Sequence, residues 1–509
     1  MPVPNIVVIC ADDIGFNELG VYQGTGMPDR DVYNGARVHT PNIDSIGREG
    51  VILTRHYTTS PICTPSRYTI LTGRLASRSP GFIEKCPPPG PATITWNTPI
   101  DRSEGTIGTV FKTLGYKTGF VGKWHNGEPK VDVASIKSMK NPRDARLTAI
   151  VKAAHEEQLN HLRNGFGFDY VDRVYFGNRE GFPDALQAHN LEWLAEGAEQ
   201  FIEANRKQPF YLHLALSTPH GDYFTPLLTD DPLLTPAGAL EKRPVTRMPP
   251  REKLLERLKA AGVPETTAMS AWQDDCVGAV LSCLKELGLS ENTIVVFTGD
   301  HLGRGKYMCY EGCRVPFLMR WPKHIEAGRR IDALTAHIDL VSTLAELAGG
   351  RVPADYQTDG ISFAKLLTDP HANKLGRDHL FLECSNIRGI VTERWKYIAC
   401  RASKDVLPAI ETDRAEAAAT GRKRWVAWDG RKNPHPQFAT EGVRYFDCGF
   451  FPNYFDADQL YDLQADVFER KNIVADPQYA QIAAQMKRLL AEELRKLPHA
   501  FGEFTPAKP

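Results

Sequence analysis

The chain has 509 residues, enough for one large core and a smaller second domain. Apolar residues make up 42% and charged residues 24%, with 61 Lys plus Arg against 62 Asp plus Glu for a net charge of −1, so no global electrostatic pull toward nucleic acid exists. No apolar run approaches the ~18 residues of a membrane span, and the ten cysteines include no Cys-x-x-Cys pair of the kind that builds a zinc ribbon or thioredoxin-type site.

The N-terminus, MPVPNIVVIC, has no basic n-region and no cleavage site before its first apolar run. That run, Ile6–Cys10, reads as a strand, and the chain fits either a cytoplasmic protein or one without its export signal. The strand leads through Ala11 to Asp12 and Asp13. Next comes SPICTPSRYTILTGR, where Cys63 sits just before a short helix whose first turn takes Pro65. A helix is predicted over Ser103 to Leu114, with Ser103 as N-cap and Ile107, Val110, Phe111 and Leu114 on one face. The strand Thr118–Val121 runs into Lys123 and His125, and Tyr211–Leu216 is followed by His220. A helix over Ala271 to Leu287 carries Cys276 and Cys283 on its apolar face as core residues. The strand Thr293–Phe297 then ends in Asp300 and His301.

Alternation of this kind predicts an α/β fold, a large mixed and mostly parallel sheet sandwiched by helices. Near residue 375 the pattern changes. The stretch FLECSNIRGIVTERWKYIAC reads as an antiparallel hairpin, QLYDLQADVFERKNIV follows later, and an amphipathic helix spans about Tyr479 to Leu497. Two domains are therefore expected: a catalytic α/β domain over 1–375 and a C-terminal α+β subdomain with an antiparallel sheet over 376–509. Three stretches, roughly 128–148, 222–252 and 401–445, read as long loops with clustered Lys and Arg. Each alone reads as solvated surface; bordering a site, they would suit an anionic substrate. Trp425 and Trp428 are read equally as a platform for a sugar ring or as core.

In open α/β sheets, ligands bind beyond the carboxyl ends of the strands. Four strands ending in Asp12–Asp13, Lys123 and His125, His220, and Asp300–His301 therefore converge on one site. Three carboxylates so close call for a divalent cation. With that cation the local charge is −1, and Arg67, Lys123 and Lys306 turn it to +2, a site built for an oxyanion such as a phosphate or sulfate ester. Cys63 at a helix N-terminus, with Arg67 one turn on, suits the same anion. A thiolate nucleophile would fit there too, but cysteine phosphatases need no carboxylate-bound metal.

In chain order, Ala11-Asp12-Asp13, Cys63-Thr64-Pro65-Ser66-Arg67 with Leu71-Thr72-Gly73-Arg74, Gly122-Lys123-Trp124-His125 and Thr218-Pro219-His220 resemble type I formylglycine-dependent sulfatases of the alkaline phosphatase-like superfamily. Asp300-His301, Lys306 through Tyr310-Glu311-Gly312, Arg314-Val315-Pro316 and Leu460-Tyr461-Asp462-Leu463 extend the resemblance over nearly the whole chain. The resemblance implies that Cys63 is oxidised to formylglycine, whose hydrated aldehyde is the nucleophile. A formylglycine-generating or anaerobic sulfatase-maturating enzyme would make that change. Asp12, Asp13, Asp300 and His301 would bind the cation, with modified Cys63 or a substrate oxygen completing the shell. Arg67 and Lys123 would stabilise the hydrate and the sulfuryl group, and His125 would assist breakdown of the sulfated intermediate. Lys306 would hold a sulfate oxygen and His220 would protonate the leaving alcohol.

The family often has Asn at His301; an imidazole suits Mn2+ or another transition metal, whereas Ca2+ is favoured here and Mg2+ is the further option. Gly221-Asp222-Tyr223 also departs from the family pattern, which assigns Asp222 to substrate recognition. The expected substrate is a sulfated carbohydrate, and the family points to the periplasm or beyond. The alternative is a phosphonate monoester or phosphodiester hydrolase of the same superfamily. His56, His213 and His337 are read as packed or surface histidines, Cys309 and Cys313 as structural, and Glu311 with Arg314 as an internal pair.

Overall fold

The structure is a computed structural model and describes residues 3–27, 32–90, 92–127, 134–220, 228, 230–302, 308, 312–401, 407–421, 453 and 456–504. An eight-stranded sheet forms its centre: β1 Asn5–Ala11, β2 Val51–Leu53, β3 Lys117–Lys123, β4 Tyr170–Tyr175, β5 Phe210–Ala215, β6 Thr293–Gly299, β7 Phe317–Arg320 and β8 Arg329–Ile331. The spatial order is β8-β2-β7-β6-β1-β5-β3-β4. Within it β6, β1, β5, β3 and β4 are successive parallel neighbours, and β7 runs antiparallel to both β6 and β2. The four strands that carry the charged ends thus lie side by side and point the same way.

Both faces of β1 are buried, which is why it reads as an unbroken apolar run. Ile6, Val8 and Cys10 face one core with Tyr68, Leu71, Val110, Phe111, Leu340 and Leu344. Val7, Ile9 and Ala11 face the other with Leu194, Ile202, Trp272, Cys276 and Val280. Helices therefore cover the sheet on both sides. Cys276 and Cys283 are wholly buried, as expected of core positions.

Four predicted strands are present with ends shifted by one or two residues. The helix placed at Ser103 to Leu114 is shorter, Ile107–Thr113, and its cap is Thr106, whose side chain accepts from the Gly108 N–H. Ser103 instead donates its N–H and hydroxyl to Asp101 in the preceding turn. Two of the expected long loops hold helices: Asp144 caps a 21-residue helix, Ala145–Gly165, and Leu407–Thr420 is helical within 401–445. The last helix runs Ala480–Leu494.

The expected hairpin is a three-strand meander, β9 Leu380–Cys384, β10 Ile387–Val391 and β11 Trp395–Cys400. A distant strand, β12 Asp458–Asp462, completes a separate antiparallel sheet in the order β9-β10-β11-β12. One face packs on Met486, Leu490 and Leu494 of the last helix. The other packs on Tyr57, Ile62, Cys313 and Ala336 beside the central sheet. Among the described residues no helix is long and apolar enough to cross a membrane.

Candidate active site

Each site residue is delivered by the end of a strand or the start of a helix. Beyond β1, the Asp12 N–H donates to the Thr218 carbonyl at 2.9 Å, and Asp13 takes a left-handed φ of 65°. Beyond β6, the Asp300 N–H donates to the Ala11 carbonyl at 2.9 Å. Beyond β3, His125 also has positive φ, 57°. Such φ values are uncommon without a glycine, and three backbone-anchored strand ends hold them in place.

The helix carrying Cys63 runs Cys63–Thr72, and all ten residues are buried. Cys63 is its first residue rather than the one before it, and Ile62 is the N-cap. The preceding loop is clamped by β9: the Glu383 N–H donates to the Thr59 carbonyl at 2.8 Å, and the Ser60 hydroxyl to the Glu383 carbonyl at 2.6 Å. Asn126 donates to the Thr64 carbonyl at 2.8 Å and to the Thr98 carbonyl at 3.1 Å, fixing the first turn.

Around the Cys63 sulfur, wholly shielded from solvent, His301 Nε2 lies at 3.3 Å and Asp13 Oδ1 at 3.9 Å. His125 and His220 are close enough to Cys63 to couple to it electrostatically. His301 Nε2 is 2.6 Å from Asp13 Oδ1. Ligand atoms of Asp13, Cys63, Asp300 and His301 lie within 4.8 Å of one another. Asp300 Oδ1 accepts from the N–H groups of Asp13 and His301, each at 2.9 Å, while Oδ2 has no hydrogen bond within reach and faces Arg67 Nη2 at 3.0 Å. A buried carboxylate oxygen without a hydrogen-bond donor, beside a second carboxylate and an imidazole, is a donor set that fits a divalent cation.

Asp12 is held differently. Its oxygens face Arg67 Nη2 at 2.9 Å and Lys123 Nζ at 2.5 Å, so two cations share one buried carboxylate. Lys123 also donates to Asn178 Oδ1 at 2.7 Å. Burial works to raise Asp12, but Lys123 and Arg67 outweigh it and hold the carboxyl well below the usual range. Burial pushes Asp300 up to about 6 against the pull of Arg67 and His301. Burial and Lys123 lower His125 to about 4. In His220, burial and Lys123 work downward, yet Asp12, Asp13 and Cys63 raise the ring above its ordinary value.

The structure thus gathers buried Asp12, Asp13, Cys63, Arg67, Lys123, Asp300 and His301 with half-buried His125 and His220 in one cluster. Lys306, Cys309, Glu311, Asp222, Trp425 and Trp428 lie outside the described residues. Two residues not expected from sequence, Asn178 and Asn126, complete the cluster. Asn178 follows the end of β4, so the strand-end rule would have reached it had YVDRVY been read as a strand.

Among the described residues, several basic side chains of the first two segments are paired with acids. Arg247 pairs with Glu199, Glu203 and Glu286. Arg251 pairs with Glu192 and lies over the Trp272 ring, and Lys140 pairs with Asp184. These described side chains bind the protein's own acids, whereas most of the third basic stretch, 422–445, lies outside the described residues. His56, His213 and His337 are fully buried packed histidines, and Cys313 is buried as expected. Arg314 donates to the Thr54 carbonyl at 2.6 Å.

Comparison with known proteins gives two family matches: sulfatase over residues 4–350, and the N-sulphoglucosamine sulphohydrolase C-terminal region over residues 300–419. The chain is 28% identical to rat N-acetylgalactosamine-6-sulfatase over 72% of this chain and 66% of that one. It is 25% identical to the N-acetylgalactosamine-6-O-sulfatase of Bacteroides thetaiotaomicron, covering 96% and 92% respectively. A solved structure in complex with its substrate D-glucosamine-2-N,6-O-disulfate superposes with a TM-score of 0.59 at 19% identity, covering 97% of this chain and 98% of that one. Two thirds of the chain, including every strand that ends in the buried cluster, lies inside the first match, and the chain belongs to the sulfatase family.

Proposed function

We propose that this protein hydrolyses sulfate esters of a sulfated carbohydrate, using a formylglycine made from Cys63 and one divalent cation, Ca2+ or Mn2+. The observation that carries the reading is the setting of Cys63. Its side chain starts a buried helix at the carboxyl ends of parallel strands, with the Asp13, Asp300 and His301 donors around the sulfur and the Arg67–Asp12–Lys123 group alongside.

Asp12, Asp13, Asp300 and His301 would hold the cation, Asp12 being also paired with Arg67 and Lys123. When bound, the metal and the formylglycine together supply an activated oxygen nucleophile. The chain's own residues do the rest. Arg67 and Lys123 place two fixed positive charges where an anionic sulfuryl group gains charge, and their positions are set in advance by Asp12. His220, beside Asp13, is placed to hold a proton for the leaving alcohol, and His125 to accept one from the Cys63 position. Lys306 is assigned a sulfate oxygen.

The substrate class rests on the relatives: N-acetylgalactosamine-6-sulfatases by name, and a structural neighbour that holds a disulfated glucosamine. Conversion of Cys63 requires a formylglycine-generating or anaerobic maturating enzyme. A catalytic unit over 1–375, a subdomain over 376–509, and action in the periplasm or outside the cell complete the proposal.

The test is sulfate release from a panel of sulfated oligosaccharides, measured by ion chromatography. The protein carries Cys63 conversion verified by peptide mass, with Cys63→Ala as control. Release from one glycan, lost in the control, is expected. Turnover of a phosphonate ester with no sulfate release from any glycan would overturn the proposal.

A further inference from the structure

Behind the cluster lies a chain of three buried side chains that the proposed chemistry does not use. Residues His56–Tyr57 and Thr335–Ala336 form a small parallel pair, with Thr335 opposite His56. Thr335 Oγ1 and His56 Nδ1 are 2.9 Å apart, His56 Nε2 and His337 Nδ1 are 3.1 Å apart, and His337 Nε2 lies 2.9 Å from the Gly299 carbonyl.

The partners fix every proton. A carbonyl only accepts, so His337 Nε2 carries hydrogen and donates to Gly299. In a neutral ring Nδ1 is then bare and accepts from His56 Nε2–H, which leaves His56 Nδ1 to accept the Thr335 hydroxyl.

The chain ends on the residue that precedes Asp300 and His301. The Asp300 carbonyl accepts the Ser66 hydroxyl, and Ser66 in turn accepts the Thr58 hydroxyl at 2.9 Å. The backbone carrying two candidate metal ligands is thus gripped by His337 from one side and by the Cys63 helix from the other.

We infer that Thr335, His56 and His337 form a positioning relay that holds the Gly299–His301 turn in register with the metal site. Neither histidine touches the sulfuryl group; both act through the backbone. The inference rests on the cation site proposed above. Outer partners that orient metal ligands typically matter by about 10–100-fold in metal affinity.

The test is calorimetric titration of Ca2+, and separately Mn2+, into chelator-stripped full-length protein, well below each variant's melting temperature. His337→Phe keeps the bulk but removes the N–H and is expected to weaken Ca2+ binding by about 10–100-fold. His337→Gln, whose amide can donate where Nε2 did, is expected to stay within about threefold of the parent. Parent-like affinity in His337→Phe, or equal impairment in both variants, would overturn the relay. Should His337→Phe fail to fold, Thr335→Val decides: loss of the far hydroxyl is expected to weaken binding by about two- to threefold, and no change overturns the proposal. A parent protein that releases sulfate but binds neither ion sinks the relay and the choice of cation, and leaves the sulfatase reading standing. Tight ion binding without sulfate release sinks the sulfatase reading alone.

Discussion

Lys123→Met separates the electrostatic role of the site from its structural one. Lys123 is 2% exposed, and its ammonium spans Asp12 Oδ2 at 2.5 Å and Asn178 Oδ1 at 2.7 Å. Removing one partner of a buried ion pair costs about 3–5 kcal/mol, because the other charge is left buried. Here Arg67 stays 2.9 Å from the second Asp12 oxygen, so the loss belongs at the low end, about 3 kcal/mol. The catalytic effect is separate. Loss of one preorganised donor at a developing anion costs about 10²–10³ in kcat. Asn178→Ala leaves the ammonium in place but loosens it, for an expected drop of about tenfold, equal to ~1.4 kcal/mol of barrier. Both variants are assayed by sulfate release with Cys63 conversion matched by peptide mass, alongside urea unfolding. If Lys123→Met loses the stability but keeps kcat within about threefold of the parent, the lysine merely neutralises Asp12 and the reasoning fails.

Chelator treatment should abolish sulfate release and lower the melting temperature, since Asp13 and Asp300 would face each other without a cation; added Ca2+ or Mn2+ should restore both, and an indifferent melting curve contradicts the donor set. His213 is stacked on Phe120, hydrogen-bonded to Tyr211, and lowered to about 3 by burial and then Arg67. Its folded value lies below its unfolded one, so its contribution is complete above pH 6.5 and declines as pH falls toward 3, by about 1.4 kcal/mol per unit. Urea midpoints at pH 7 and pH 5 should therefore differ less in His213→Phe than in the parent, and equal differences would refute the assignment. Gly122→Ala should prevent soluble expression, because a Cβ there would sit 1.8 Å from the Ala215 carbonyl oxygen at a φ of 102°. A parent-like melting temperature would show that β3 and β5 can separate more easily than their pairing suggests.

Much of the site was legible because buried parallel strands advertise themselves. Ile6–Cys10 and Thr293–Phe297 are apolar on both faces, and a charged pair follows each. The edge strand β4 was missed because YVDRVY carries Asp172 and Arg173, and Arg173 pairs with Asp172 and Glu196 at the sheet's rim. The Ala145–Gly165 helix was missed for a related reason: its buried positions are few, Leu147, Val151, Ala154, Leu159 and Leu162, amid a polar surface. Its Asp144 cap was a readable signal. Ser103 reads as the cap by type, but Asp101 captures its N–H and hydroxyl, and Thr106 caps the helix instead. The partnering of Arg247 and Arg251 with Glu199, Glu203, Glu286 and Glu192 was beyond sequence reasoning, since those acids lie on two helices far along the chain.

The clamp of β9 on the loop before Cys63 bears on how this protein could be shortened. A truncation near residue 375 would remove Glu383, freeing the Thr59 carbonyl and the Ser60 hydroxyl, and would strip the cover from Tyr57, Ile62, Cys313 and Ala336. The resulting fragment would carry an apolar scar beside Cys63, an invitation to aggregate. The C-terminal sheet is therefore no detachable accessory. It is the buttress of the loop that leads into Cys63, and a shortened version of this protein must retain it.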